Sequence, residues 1–301
     1  MALKIVEFFG YEPGDPSAEA QSARQDLRCP FIGVRCTKTL SDGLVSGACT
    51  VRQATSEPII CCPKRLYAGS YQILRETAAS VFGEDVAFIL GSDTSVATGG
   101  RRVFAFGSAV GGEIKLPPIE GRGGFFVDWI LALVNEKGEL EDFVAVEVQS
   151  IDTTGNYRQE REDYLKGQAF AGYSEAGINW ENVNKRILPQ LIYKGHVLRR
   201  EQLCKKGLFF ICPTPVYQRI AQRIGGSLAK YHPAPGTLTF RWYDVGPQVP
   251  SGQQRELCFG DQFTTTVEQV AYAFLSPGNM PPENSYAKAI RAKLRTIGIG
   301  E

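Results

Sequence analysis

The sequence predicts an α/β or α+β core preceded by an N-terminal segment of different texture. Three observations carry that reading. Strand-like and helix-like periodicities mix along one chain from Pro63 onward, as they do when helices pack on a sheet. A strong β-hairpin lies near the middle, between Phe125 and Ile151. The first 62 residues hold five of the eight cysteines and are rich in Gly, Ser and Thr. A chain of 301 residues buries enough surface for one large domain or one domain with an appendage. We divide it into a four-cysteine segment, residues 1–66, and a main domain, residues 67–301.

The elements follow in order. The Pro/Gly cluster from Tyr11 to Pro16 argues against long regular elements in the first segment, which needs something other than a broad hydrophobic core to hold it. Arg65 to Phe82 carries Leu66, Ile73, Leu74, Ala78, Val81 and Phe82 at helical spacing and stops before Gly83. Val86–Leu90, Arg102–Phe106 and Glu113–Leu116 read as short strands between Gly-rich turns. After the hairpin, Asn182 to Glu201 reads as a helix interrupted at Pro189. Gly207–Cys212 is a buried strand, Val216–Ile224 a helix capped by Gly225-Gly226, and Thr237–Tyr243 another strand. Thr265 to Phe274 is helical, and the Pro/Gly stretch Ser276–Pro282 ends it.

Composition excludes little. No apolar run reaches the ~18 to 20 residues of a membrane span, and the nearest, Phe125 to Val134, is interrupted by Asp128. The N-terminus shows no basic segment followed by an apolar stretch, so a cytoplasmic protein is expected, with thiols kept free for packing, metal binding or catalysis. A net charge of +1 argues neither for nor against nucleic acid. Basic residues nevertheless come in doublets, Arg101–Arg102, Lys185–Arg186, Arg199–Arg200 and Lys205–Lys206, which suit backbone phosphates as well as solvated surface.

The hairpin carries the chemistry. Phe125 to Val134 is apolar except for Asp128, and an unpaired carboxylate in such a run is costly to bury. The turn Asn135-Glu136-Lys137-Gly138 leads into Leu140 to Ile151, where Val144, Val146 and Val148 share one face and Ala145, Glu147 and Gln149 the other. A turn centred between Lys137 and Gly138 sets Asp128 across from Glu147, with Cβ atoms roughly 4.5 to 5.5 Å apart. Two acids that close repel unless a cation lies between them or one keeps its proton. Mg²⁺ suits such a pair, because it takes one or two carboxylates and leaves other positions to water and phosphate. Gln149 would lie beside the ion and orient water or touch a phosphate. The bland alternative is a hydrogen-bonded core aspartate and a half-exposed strand.

Cys29, Cys36, Cys49 and Cys62 are separated by six, twelve and twelve residues, which is not the CxxC spacing of common zinc ribbons. They fall in a segment poor in large apolar residues, where a tetrahedral thiolate site supplies folding energy and a set of small buried hydrophobes does not. Cys204, Cys212 and Cys258 read as core residues. With only His196 and His232 in the chain, a histidine-based site is not expected.

Asp128 followed by Glu147-x-Gln149 resembles the PD-(D/E)xK nucleases, with glutamine in the lysine position, and among them the NotI family of restriction endonucleases. The likeness also takes in the cysteine segment, Gly112 to Pro117, Arg186 to Gln190 and Lys205 to Phe210. It implies a restriction-endonuclease-like core, a mixed sheet flanked by helices, that hydrolyses phosphodiesters in duplex DNA as a homodimer. It implies a structural iron site too, with ligand roles on Cys29, Cys36, Cys49 and Cys62. Thiolates suit zinc equally, and adjacent Cys61 competes with Cys62, whose Cys-Pro-Lys-Arg setting is similar to the family's. Because glutamine carries no charge, any cationic role falls to the metal or to another basic residue. Arg101, Arg102, Arg199, Arg200, Lys205 and Lys206 are the candidate phosphate contacts, and Glu76 a candidate extra acid. A sequence-nonspecific nuclease with the same core, or a metal-stapled DNA-binding protein without catalysis, are the alternatives.

Overall fold

The structure, a computed structural model, describes residues 3–299 apart from 54–55, 92, 94–99, 109, 117–123, 156, 173, 175 and 277–279. In chain order the N-terminal segment supplies β1 (Leu3–Phe8), α1 (Ala18–Gln25), β2 (Ala48–Gln53) and β3 (Ile59–Ile60). A 3₁₀ turn, Pro63–Tyr67, leads into α2 (Ala68–Phe82), β4 (Ala87–Leu90) and β5 (Arg102–Gly107). Two-residue strands β6 (Lys115–Leu116) and β7 (Phe125–Phe126) precede the hairpin, β8 (Trp129–Val134) and β9 (Leu140–Val148). Then come β10 (Thr153–Thr154), α3 (Arg158–Leu165), β11 (Gly177–Ile178), a π-helical turn Val183–Ile187, and α4 (Leu188–Leu198). The chain continues through β12 (Leu208–Pro213), α5 (Thr214–Ile224), β13 (Thr237–Val245), β14 (Leu257–Thr266), α6 (Val267–Leu275) and α7 (Ser285–Thr296).

A mixed seven-stranded sheet in the order β14-β13-β12-β9-β8-β5-β4 organises the described residues. Strands β9, β12 and β13 run parallel, while the β8–β9 hairpin and β14 pair antiparallel. One face packs on α2, with Ile73, Leu74 and Ala78 meeting Leu131, Val146 and Phe209. The other is covered by α4, α5 and α6, with Leu188, Leu191, Ile220 and Val267 meeting Ala145, Phe210 and Phe240. This mixed sheet with helices on both faces is the α/β architecture expected. Among the described residues no helix is long and apolar enough to cross a membrane.

Several elements differ from expectation. The helix predicted from Arg65 breaks at Gly69, Ser70 and Tyr71, whose φ values are 62°, 55° and 61°. Tyr71 is held there by an aromatic trio, its ring 5.3 Å from both Tyr67 and Trp129. Phe125-Phe126 pairs with Lys115-Leu116 instead of extending the hairpin arm. Pro189 sits in the first turn of α4, where its missing N–H is harmless, and the helix interruption takes the form of the π turn before it. Thr265–Thr266, placed in a helix by the sequence reading, ends β14. Cys258, read as a core residue, lies exposed on that edge strand.

The first segment has a hydrophobic cluster of its own, which corrects the expectation that it lacks one. Leu3, Ile5, Phe8, Phe9 and Val51 pack with Tyr157 and Ala176 from beyond the hairpin. The segment is also stitched to the main domain, since Cys29, Phe31, Cys49 and Ile60 belong to the cluster under α2.

Candidate active site

The hairpin pairs Trp129 with Val146 and Ile130 with Ala145, so continuing the ladder brings Asp128 beside Glu147. The Asp128 backbone N–H donates to Glu147 Oε1 at 3.3 Å, and the Val148 N–H donates to Asp128 Oδ2 at 2.9 Å. Alternation explains the placement. Trp129, Leu131, Val144, Val146 and Val148 enter the α2-side core, while Ile130 and Ala145 face α4 on the side that Glu147 shares. Gln149 adds one further rung, its N–H donating to Ile211 O at 3.0 Å, and its Nε2 lies 3.4 Å from Gln190 Oε1 on α4.

Glu147 is only 2 % exposed. Burial, then the charge of Asp128, pushes its carboxyl up to about 7, against the pull of Lys194. Burial likewise raises Asp128, opposed by the Val148 N–H, Lys194 and Lys64, with Glu113 pushing upward. Lys194 escaped the sequence reading. Its Nζ meets Glu147 Oε1 at 2.5 Å and stands 5.4 Å from the Phe126 ring centre. The signal was available: Leu191, Gly195 and Leu198 form the buried stripe of α4, and Lys194 falls within that stripe.

An open cleft of about 230 Å³ adjoins the acids, lined by Pro63, Asp128, Gln149, Asp152, Asn182 and Arg186. Asp152 accepts from Asn182 Nδ2 at 2.6 Å and pairs with Arg186 at 3.5 Å. Among the described residues no three His, Cys, Asp or Glu side chains are arranged to hold a metal ion. Asp128 on the cleft wall, with the buried Glu147 beside it, nevertheless offers the carboxylate donors that Mg²⁺ takes, an ion that retains waters and asks little of the protein.

The pattern that defines the restriction endonuclease NotI family matches residues 14–222, more than half of the chain. The chain belongs to the NotI restriction endonuclease family. It is therefore a site-specific deoxyribonuclease, a DNA-binding hydrolase. No curated protein matches it.

The NotI-family match includes all five N-terminal cysteines. All are free thiols. Burial pushes the Cys29 thiol up to about 11, with Cys62 and Cys36 adding to the rise. Burial raises Cys49 further, with Cys62, Cys29 and Cys36 contributing. Cys49 thus feels the other three, and Cys36 adds to the rise at Cys62, although among the described residues they form no closed coordination shell. Cys61 points elsewhere: its sulfur lies 3.1 Å from Lys38 Nζ and 3.7 Å from Ala48 O, within the cluster of β1 and β2.

The basic doublets divide. Arg102 pairs with Val134 at the turn end of the hairpin, six residues or roughly 20 Å along the strand from Asp128. Arg101 is bound there to Glu141 at 3.1 Å, and Lys205 Nζ donates to Glu141 O at 2.9 Å, with Lys206 following it. Arg199, paired with Glu268, and the exposed Arg200 follow the C-terminal end of α4. None of these six lines the cleft beside the acids, whereas Arg186 does. Glu76 is occupied, accepting from Tyr243 OH at 2.7 Å and Gln72 Nε2 at 2.6 Å.

Proposed function

We propose that this NotI-family chain is a type II restriction endonuclease that cuts both strands of a palindromic duplex site as a homodimer in the cytoplasm. The observation that carries the active site is the meeting of Asp128 and Glu147 across the hairpin beside an open cleft. Both carboxylates would hold Mg²⁺. When bound, that ion supplies Lewis-acid polarisation of the phosphoryl oxygen and a more acidic water. Water attacks phosphorus in line as the opposite P–O bond breaks. Gln149, half-buried just past the end of β9, orients water or phosphate through its amide. Two-fold symmetry of a dimer matches two-fold symmetry of a palindrome, one acid pair per strand. Arg101, Arg102, Arg199, Arg200, Lys205 and Lys206 serve as backbone-phosphate contacts remote from the cut, giving salt-dependent affinity.

The test is a plasmid digest with Mg²⁺. Asp128→Ala and Glu147→Ala are expected to bind DNA and leave it uncut, and wild-type digestion of genomic DNA to yield discrete bands. A smear points to a sequence-nonspecific nuclease, and uncut DNA bound equally with EDTA or Mg²⁺ to a non-catalytic binder.

Cys29, Cys36, Cys49 and Cys62 are proposed to hold one structural iron or zinc ion, supported by their mutual proximity and by Cys61 turning away towards Lys38. Elemental analysis is expected to find one such metal per chain, lost in Cys62→Ser and kept in Cys61→Ser. Metal-free, folded wild-type protein overturns the assignment.

A further inference from the structure

The strand position that carries lysine in related nucleases holds Gln149, which leaves the site without a charge next to the acids on the hairpin itself. The neighbouring helix fills that gap. On α4, Gln190 and Lys194 are four residues apart and therefore stacked on one face, about 5 to 6 Å between Cβ atoms. On β9, Glu147 and Gln149 are two residues apart on one face, about 6 to 7 Å along the strand. The two steps match: Gln190 Oε1 is 3.4 Å from Gln149 Nε2, and Lys194 Nζ is 2.5 Å from Glu147 Oε1. Lys194 is fixed in this place because Leu191, Gly195 and Leu198 seat the same stripe of the helix on the sheet. Among the described residues, Lys194 and then Lys64 are the cations that most favour the charged form of Asp128, while Arg186 is engaged by Asp152 at 3.5 Å.

We propose that Lys194 is a catalytic residue: its ammonium, delivered from α4, takes the place of the strand lysine and pairs with the scissile phosphate. The proposal rests on the nuclease reading of Asp128 and Glu147. As the bond from water to phosphorus forms and the opposite P–O bond breaks, negative charge accumulates on the non-bridging oxygens, and a fixed cation in a partly dry site stabilises that charge. In the free protein the same ammonium neutralises Glu147, and it is released to the phosphate when a divalent cation takes the carboxylates.

The experiment compares wild type, Asp128→Asn, Lys194→Met, Lys194→Arg and the transposed pair Gln149→Lys with Lys194→Gln. Folding is checked by circular dichroism and melting temperature. Single-turnover cleavage is measured with Mg²⁺ on a duplex carrying the site mapped from the wild-type digest. Mn²⁺ affinity of the DNA-free protein is measured by calorimetry. Lys194→Met is expected to cut about 10²- to 10³-fold more slowly. It should bind Mn²⁺ at least as tightly as wild type, because a competing cation has been removed. Lys194→Arg should recover part of the rate, and the transposed pair should exceed Lys194→Met by roughly tenfold. Cleavage by Lys194→Met within about threefold of wild type overturns the proposal. So does a transposed pair no faster than Lys194→Met, or a fall in Mn²⁺ affinity that parallels the lost rate, which marks Lys194 as a prop for Glu147. If Lys194→Met does not fold, Lys194→Gln takes its place as the reference for the same criteria. A wild type that does not cut, or Asp128→Asn cutting at the wild-type rate, instead removes the active-site reading beneath it.

Discussion

At the scale of single residues the acid pair is a stability defect that the proposed chemistry would account for. The Glu147 carboxyl is raised from 4.5 to about 7, so between those values the folded chain keeps a proton that the unfolded chain has lost. Metal-free protein must then lose stability as pH rises through that window. Asp128 is the largest neighbouring-charge contribution to the rise, and Asn in its place can still accept from the Val148 N–H. Asp128→Asn is therefore expected to stabilise metal-free protein at pH 8 by about 1 kcal/mol, roughly 2 °C in melting temperature. At pH 5, where Glu147 is protonated in wild type as well, a smaller gain is expected, from the burial cost of Asp128 alone. Calorimetry in EDTA at the two pH values decides it, and a variant less stable than wild type at pH 8 contradicts the repulsion argument. Asp128 was legible in the sequence because a lone acid in an apolar strand has few explanations. Lys194 went unread although it falls within an apolar stripe, because a lysine in a helix is ordinarily solvated.

At the scale of elements, legibility followed periodicity. The hairpin's register was readable because period-two alternation and one tight turn fix it together, with Asn135 Oδ1 accepting from both Lys137 and Glu139 N–H at 2.9 Å. Strand β14 was unreadable for the opposite reason. It is the sheet's edge, Cys258, Phe259, Gly260 and Asp261 are all exposed, and no face of it alternates. The break in α2 depends on Trp129, far away in sequence, and so left no local mark. Under the proposed mechanism helix α4 matters most, since it carries Gln190 and Lys194. It lies close on α6 because Gly195 has no side chain: a Cβ there would stand 2.4 Å from Val267 Cγ2. Gly195→Ala must push α4 away from α6 or shift Val267, and either displaces Lys194 from the acids. A loss of about 1 to 3 kcal/mol in stability is expected from overpacking. Cleavage should fall roughly tenfold or more, as small misplacements in a site do. Gly195→Ala cutting at the wild-type rate despite the lost stability would show that the position of α4 is irrelevant to the reaction.

At the scale of the molecule, the boundary drawn from composition near residue 66 falls on the residue that joins the two parts. Arg65 is fully buried and forms a two-nitrogen pair with Glu7 of β1, at 2.8 and 3.1 Å, while donating to Arg255 O at 2.7 Å. Glu7 also accepts from the Thr50 hydroxyl on β2. Asp15 makes a second stitch, accepting from Ser251 Oγ at 2.6 Å and the Gly252 N–H at 2.8 Å. The cysteine segment thus closes against the loop between β13 and β14, and Cys62-Pro63 leads from the thiols to the cleft wall. Such a joint implies that the chain unfolds as one unit. Arg65→Met leaves Glu7 charged, buried and answered only by Thr50, a loss of about 3 to 5 kcal/mol. For a chain of this size that is a drop on the order of 10 °C in melting temperature. Adding Glu7→Leu should return most of it, because removing both partners also removes the stranded charge. Scanning calorimetry of wild type is expected to give a single transition. A separate, earlier transition that alone moves in Arg65→Met would instead make the cysteine segment an independent domain, with no bearing on the rigidity of the cleft.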